Sequence, residues 1–325
     1  MLAYKLKFIS PLHLGTDSDD QTTIEPILHS DTLFNSLIIN WSLLFEEAIP
    51  DLIVNPPCKL SSAFPFVAEQ LFFPVPVGMF DEIMKDESVD IKKWKKVDYI
   101  PLEILKKYLK NEKSELIKND FEEFSKKHSC YSEKNRLEFG KSSERPRLTL
   151  DRVTNSSVEG AFFYSRDFFF NSDAGLFILV EIENQNEKKF EVALTLLGEN
   201  GIGADRSTGK GQFVWEKCSV DLEKAGEKDK ALLMSLYYPE MSEIDAGFLE
   251  DSSYSLIKRS GHIGHYLAGN IKRNEIRMLS VGSILSAKGR RGGKIVKVVD
   301  KEKMSDAPFD VFRDGRGFLI KFGGE

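Results

Sequence analysis

The chain has 325 residues, 41% hydrophobic and 11% aromatic, with 24 phenylalanines; this is long enough for two domains and too aromatic for an intrinsically disordered chain. No run approaches the roughly 18 apolar residues of a membrane-spanning helix. The three cysteines, Cys58, Cys130 and Cys218, are too few and too scattered for a zinc ribbon or a disulfide scaffold, and the net charge of −6 argues on its face against a polyanionic partner.

The opening Met1–Lys5 lacks the basic and apolar regions of a secretion signal, and with unpaired cysteines the expected location is a reducing cytoplasm. Ala3–Ser10 alternates as a strand. Pro11 to Gly15 breaks it, and an acidic loop with Asp17, Asp19 and Asp20 follows. Ser30 or Asp31 can cap a helix carrying Leu33, Phe34, Leu37, Ile38, Trp41, Leu44 and Phe45. That 3-4-3-4 spacing gives one buried stripe, and Pro50 lies just beyond it. Residues 55–80, rich in Pro and Phe, read as extended segments at a sheet edge. The charged stretch 81–130 reads as a helical insertion, and 134–155 as an exposed hairpin or flexible arm. Lys134–Arg152 carries six basic residues against Glu138, Glu144 and Asp151, a net +3.

Strands resume at Phe162–Tyr164, Phe168–Phe170 and Leu176–Glu183. Phe190–Leu197 suits a strand by composition, yet Phe190, Ala193, Leu194 and Leu197 also fit a short helical face. A glycine-rich loop spans Gly201–Gly211, Gln212–Val220 reads as a strand, and the acidic stretch Asp221–Lys230 as a linker. Further strands are expected at Tyr254–Arg259, Leu279–Leu285 and Gly293–Val299, then a glycine-flanked piece, Val311–Phe318. Lys258–Lys297 holds ten basic residues against Glu275, a net +9 that leaves −15 for the rest of the chain. Clustered cations on an otherwise acidic protein fit either a polyanion footprint or a solvated face. The pattern predicts two α+β units, about 1–220 and 230–325, with no exact internal repeat.

The loop Gly201-Ile202-Gly203-Ala204-Asp205-Arg206-Ser207-Thr208-Gly209-Lys210-Gly211 carries the most chemistry. Arg206 stands where a dinucleotide fingerprint needs its third glycine. Five residues separate Gly203 from Gly209, where a triphosphate-binding P-loop has four, and Gly211 follows Lys210 in place of Ser or Thr. The loop's glycines allow positive φ, its N–H groups can form an anion nest, and Arg206 and Lys210 add charge. A phosphodiester chain suits this better than a lone triphosphate; the bland alternative is a tight strand connection.

This loop resembles that of the RAMP superfamily of CRISPR RNA-binding proteins. Phe8–Gly15, Ile27–Phe34, Arg145–Arg152 and Val311–Phe318 extend the resemblance over nearly the whole chain, most closely to the family of the fourth Csm subunit of type III-A effector complexes. The resemblance implies two tandem ferredoxin-like (RRM-like) domains, the first enlarged by insertions. It implies a non-catalytic scaffold in antiviral defence that holds the 5′ repeat-derived tag of the guide RNA, docks a large polymerase-like signalling subunit and contacts a backbone RAMP subunit. Target RNA lies nearby; no membrane and no cofactor are implied. By position, Gly201, Gly203, Arg206, Ser207, Thr208, Gly209, Lys210 and Gly211 would clasp tag phosphates, with His29 beside them. Arg145, Arg147 and Arg152 would belong to an intruding hairpin, and Lys258, Arg259, His262, Arg290, Arg291 and Arg313 would be further contacts. Single-stranded RNA is expected to be held by backbone charge and stacking.

Some relatives cut RNA with a histidine, so a guide-processing ribonuclease using His13 or His29 is the competing reading. His262 and His265 lack a nearby acid or cysteine for a metal site. Asp17, Asp19 and Asp20 do not reproduce the pattern of backbone subunits that cleave target RNA, and the cysteines have no readable base partner. A metabolic phosphate-binding enzyme is a third reading, disfavoured by the broken P-loop and dinucleotide spacings.

Overall fold

The computed structural model describes residues 1–14, 27–83, 97–127, 139–222, 229–263, 271–286, 288–290, 292–304 and 307–323. The first part runs β1 (Leu2–Phe8), α1 (Ser30–Phe45), α2 (Ile49–Val54), β2 (Cys58–Leu60), β3 (Phe64–Val67) and β4 (Gln70–Pro74). It continues through α3 (Met79–Ile83), β5 (Tyr99–Pro101), α4 (Leu102–Leu109), α5 (Ser114–Lys127), β6 (Gly140–Leu150) and β7 (Ser157–Phe170). It ends with β8 (Ala174–Ile182), α6 (Asn184–Asn200) and β9 (Phe213–Ser219). Seven of these strands form one sheet in the order β5-β4-β3-β8-β1-β9, with β2 also paired to β8.

Every pairing in that sheet is antiparallel; β1 lies between β8 (Ala3↔Leu179) and β9 (Ala3↔Cys218). Both faces of β1 are buried, which explains why its alternation separates two apolar sets. Tyr4 and Leu6 join Leu33, Phe34, Leu37, Trp41, Phe190 and Leu194 under helices α1 and α6. Ala3, Phe64, Phe73 and Phe177 face the other way and share a cluster with Leu232, Met234, Ile284, Phe318 and Ile320. The central sheet is thus sandwiched between a helical layer and the C-terminal half.

That half contains β10 (Lys230–Leu233), α7 (Met241–Asp245), β11 (Leu256–Arg259), β12 (Ile276–Leu279), β13 (Ile284–Ser286), β14 (Ile295–Val299), β15 (Val311–Asp314) and β16 (Leu319–Phe322). They form a three-stranded sheet, β13-β10-β16, and two ribbons, β11–β12 and β14–β15. The α+β class expected from sequence is observed. The C-terminal half, however, lays out no four-stranded sheet with two long helices among the described residues.

Several elements differ from the sequence expectation, each for a physical reason. Phe190–Leu197 is helical: Phe190, Ala193, Leu194 and Leu197 all turn inward on α6, so the helical spacing prevails over strand propensity. The hairpin is longer than 134–155. Its second strand runs through both Phe162–Tyr164 and Phe168–Phe170, which are one element paired continuously from Gly140↔Phe170 to Leu148↔Phe162. Leu279–Leu285 is two strands, broken where Gly282 takes φ +82. Residues 81–130 are not wholly helical, since Tyr99–Pro101 adds the edge strand β5. Leu44 ends the α1 stripe on the exposed side.

Candidate nucleic-acid interface

The glycine loop leaves α6 at Gly201, whose φ of 76° ends the helix and whose missing Cβ makes room for the Lys210 carbonyl. Gly203, at φ 95°, lets the backbone reach the β1–α1 segment, where Ala204 N–H donates to the His13 carbonyl at 2.9 Å. Gly211 N–H donates to Pro11 O at 2.9 Å, and Ile202 N–H to Gly211 O at 3.0 Å. These bonds staple the loop base to Pro11–His13. The tip is a 3-10 turn over Arg206–Thr208, entered through Asp205 in the left-handed region at φ 59°. Arg206, Ser207, Thr208 and Gly209 are exposed, and Arg206 has no side-chain partner among the described residues.

Lys210 behaves otherwise. Its ammonium is buried, 2.7 Å from Asp167 Oδ1 and 2.9 Å from Asp205 Oδ2. Asp205 also receives Arg147 of β6 at 2.8 Å. Burial pushes the Asp205 carboxyl up, but the hydrogen bonds from Lys210 and Arg147 prevail and hold it below the usual carboxylate range. His13 closes the chain: its Nδ1 donates to Arg166 O at 2.7 Å and lies 3.3 Å from Asp167 Oδ1. A continuous path of hydrogen bonds and ion pairs, His13–Asp167–Lys210–Asp205–Arg147, therefore ties the opening strand's loop, the glycine loop and the hairpin together.

The register of β6–β7 sorts the hairpin's side chains, because directly opposed residues share a face. Arg147 lies opposite Phe163, Arg145 opposite Ser165 and Ser143 opposite Asp167, so both arginines share the face that meets the glycine loop. Arg145 is exposed and covers the Phe169 ring with its guanidinium 5.2 Å from the centroid. The opposite face presents Leu148, Phe162 and Tyr164 to solvent, the two rings meeting edge-on at 5.2 Å. Arg152 is exposed near the hairpin's tip.

The remaining sequence candidates fall in different places. His29 is buried at 5% exposure at the N-terminus of α1, which leaves its ring no open face for RNA or for catalysis. Arg259 and Arg313 are structural: both pair with the fully buried Asp31, Arg259 through two 3.2 Å contacts and Arg313 through its Nη1. Arg313 also donates to Ser260 O. Burial alone would raise the Asp31 carboxyl, but the two guanidiniums hold it well below the ordinary range. Lys258 and His262 are exposed, and Arg290 is half-buried, donating to the carbonyls of Leu285 and Ser286 at 3.3 Å. Arg291, Asp17, Asp19, Asp20, His265 and Cys130 lie outside the described residues.

Four of the loop residues expected to clasp phosphate are therefore architectural. Gly201, Gly203 and Gly211 allow close approaches at the base, and Lys210 is committed to two carboxylates; the accessible set is Arg206, Ser207, Thr208 and Gly209. Burial pushes the Cys58 thiol up to about 12, the condition of an inert thiol. Among the described residues no group of acidic, cysteine or histidine side chains is arranged to hold a metal, and no helix is long and apolar enough to cross a membrane. Sequence reasoning missed the organising roles of Asp31, Asp167 and Asp205, because Arg259, Arg313, Lys210 and Arg147 reach them from distant segments in all but the Lys210–Asp205 pair.

Residues 5–214 match the family model of the RAMP superfamily. The chain belongs to the RAMP superfamily. The rest of this RAMP chain matches a second family description, the CRISPR Csm4 C-terminal domain, over residues 226–322. A protein described as "CRISPR system Cms protein Csm4", from Methanocaldococcus jannaschii, is 23% identical over 330 residues, covering 88% of this RAMP chain and 85% of its own length. In fold, the RAMP chain is similar to a chain of the Csm3-Csm4 subcomplex of a type III-A CRISPR-Cas interference complex. The two have a TM-score of 0.63 and 18% identity, with all of both chains covered. A Csm1-Csm4 cassette in complex with cA4 gives a TM-score of 0.59 at 16% identity, over 100% of this chain and 98% of that one.

Proposed function

We propose that this chain is a non-catalytic RNA-binding scaffold subunit of a type III-A CRISPR effector complex, holding the 5′ repeat-derived tag of the guide RNA. The observation that carries the reading is the path of hydrogen bonds and ion pairs fixing an exposed loop tip beside an exposed arginine hairpin. Arg206–Gly209 offer a charged, glycine-permitted tip for phosphates, and Arg145 and Arg147 lie on the adjoining hairpin face, a layout suited to an extended polyanion. Phe162 and Tyr164 offer rings on which unpaired bases can stack. Two of the matched solved structures are described as complexes, one of Csm4 with Csm3 and one of Csm4 with Csm1. By that analogy this chain bridges the large signalling subunit and a backbone RAMP subunit, with target RNA close by.

Two finer readings belong to the same proposal. The order β3-β8-β1-β9, traversed as β1–α1–β3–β8–α6–β9, supports a ferredoxin-like first unit over about 1–220. The C-terminal unit, about 230–325, is read as a reduced second copy built on β13-β10-β16. The test is a gel assay of the purified chain with 5′-labelled guide RNA, with and without its tag, in EDTA and in Mg²⁺. A tag-dependent shift with intact RNA is the expected result. Discrete cleavage in EDTA that disappears with His13→Ala would make the chain a processing ribonuclease instead.

A further inference from the structure

The ribbon β11–β12 carries an unusual arrangement of charge. Lys258 of β11 lies directly opposite Arg277 of β12, both exposed. Like charges directly opposed across an antiparallel pair destabilise a ribbon. Glu275, just before β12, receives Lys258 at 2.8 Å. That hydrogen bond, with added attraction from Arg277 and Lys272, holds the Glu275 carboxyl below its ordinary range. Three exposed cations thus surround one acid, and among the described residues Lys272 and Arg277 have no ion-pair partner of their own.

The ribbon's other face is fixed in place. Arg259, next to Lys258 but pointing the opposite way, is held by Asp31 at the start of α1. The basic face is therefore presented rigidly, while neighbouring cations are already neutralised: Lys288 by Glu250 and Lys297 by Asp310. Among the exposed described cations of the basic window, Lys272 and Arg277 are the two without an ion pair. Exposed Tyr254 and Leu256 precede Lys258 in the chain.

We infer that Lys258 and Arg277 on the β11–β12 ribbon, with Lys272 on the segment leading into β12, form a second RNA-backbone contact, separate from the glycine loop and binding a phosphodiester strand. The inference rests on the RNA-binding reading above and extends it to the C-terminal half. Lysine is depleted at protein–protein interfaces, whereas phosphate contacts are made by Lys and Arg; an acidic protein partner is the poorer fit. A phosphate between Lys258 and Arg277 relieves their repulsion, which Glu275 offsets only in part.

The test uses the full chain, tagged guide RNA and salt titrations of affinity. The triple variant Lys258→Ala, Lys272→Ala, Arg277→Ala should keep its melting temperature and lower the log–log salt slope by about two, at about 0.7 per lost single-strand phosphate contact. At 0.15 M salt that corresponds to roughly forty-fold weaker binding. Glu275→Gln, which removes the acid and keeps every cation, should bind RNA more tightly than the parent. Arg206→Ala, run alongside, separates the two ideas. An unchanged slope in the triple variant with a reduced slope in Arg206→Ala overturns the second contact and leaves the loop reading intact. Unchanged slopes in both overturn the RNA reading itself. Unchanged RNA affinity with lost co-elution of the large subunit assigns the ribbon to an acidic protein surface and also overturns the inference.

Discussion

Arg206 and Lys210 sit in the same loop and do different work. Arg206 lies exposed at the tip, so Arg206→Ala together with Arg145→Ala should leave thermal stability within about 0.5 kcal/mol of the parent each. The pair should lower the salt slope of RNA binding by up to about 1.4, read from affinity against salt concentration. Lys210→Ala should act on the fold. It strands Asp167, 1% exposed, beside Asp205, and breaking a buried pair typically costs about 3–5 kcal/mol, visible in a denaturant titration. The glycine spacing made the loop legible in the sequence. Which of its cations faces solvent was not legible, because Asp167 and Arg147 reach the loop only through the hairpin's register.

At the scale of elements, the N-terminus of α1 is the latch between the two halves. Asp31 accepts Arg259 from β11 and Arg313 from β15 while fully buried. Asp31→Ala should destabilise the chain by about 3–5 kcal/mol by leaving the buried Arg313 guanidinium, and the partly buried Arg259 beside it, without their shared carboxylate. The sign of its pH dependence follows from its lowered pKa. The Asp31 contribution is complete above the ordinary Asp value near 3.9 and is lost as pH falls below it toward the folded value. Acid unfolding monitored by circular dichroism should therefore shift to higher pH in Asp31→Asn. Sequence periodicity disclosed α1 through its Leu33–Trp41 stripe but cast Asp31 as a possible cap, since Arg259 and Arg313 are more than 200 residues away.

The hairpin teaches a related lesson. Its Phe-rich return strand looked like two separate strands, because runs such as Phe168–Phe170 carry no alternation to mark a continuous element. Pairing with β6 supplies the continuity. Phe162→Ser with Tyr164→Ser should leave the melting temperature nearly unchanged, both rings being about half-exposed, while weakening RNA affinity by about 1–3 kcal/mol for each lost stacking ring, read from a binding titration.

Across the whole molecule, charge and burial divide the labour. The net −6 conceals a +9 window, and the fold spends part of it on structure, through Arg259 and Arg313, while leaving Lys258, Lys272 and Arg277 exposed. The shared cluster joining Ala3, Phe64 and Phe177 to Leu232, Met234 and Ile320 makes the halves interdependent. Strand positions in the C-terminal half were mostly legible. Their division into one small sheet and two ribbons was not, because it depends on pairings such as Lys230↔Phe322 between distant segments.

The measurement that bears most directly on this account is the gel assay with labelled guide RNA, tagged and untagged, in EDTA and in Mg²⁺. A shift that requires the tag, leaves the RNA intact and weakens in the Arg206→Ala variant is the predicted result. Equal affinity for tagged and untagged RNA, or cleavage in EDTA, would contradict it.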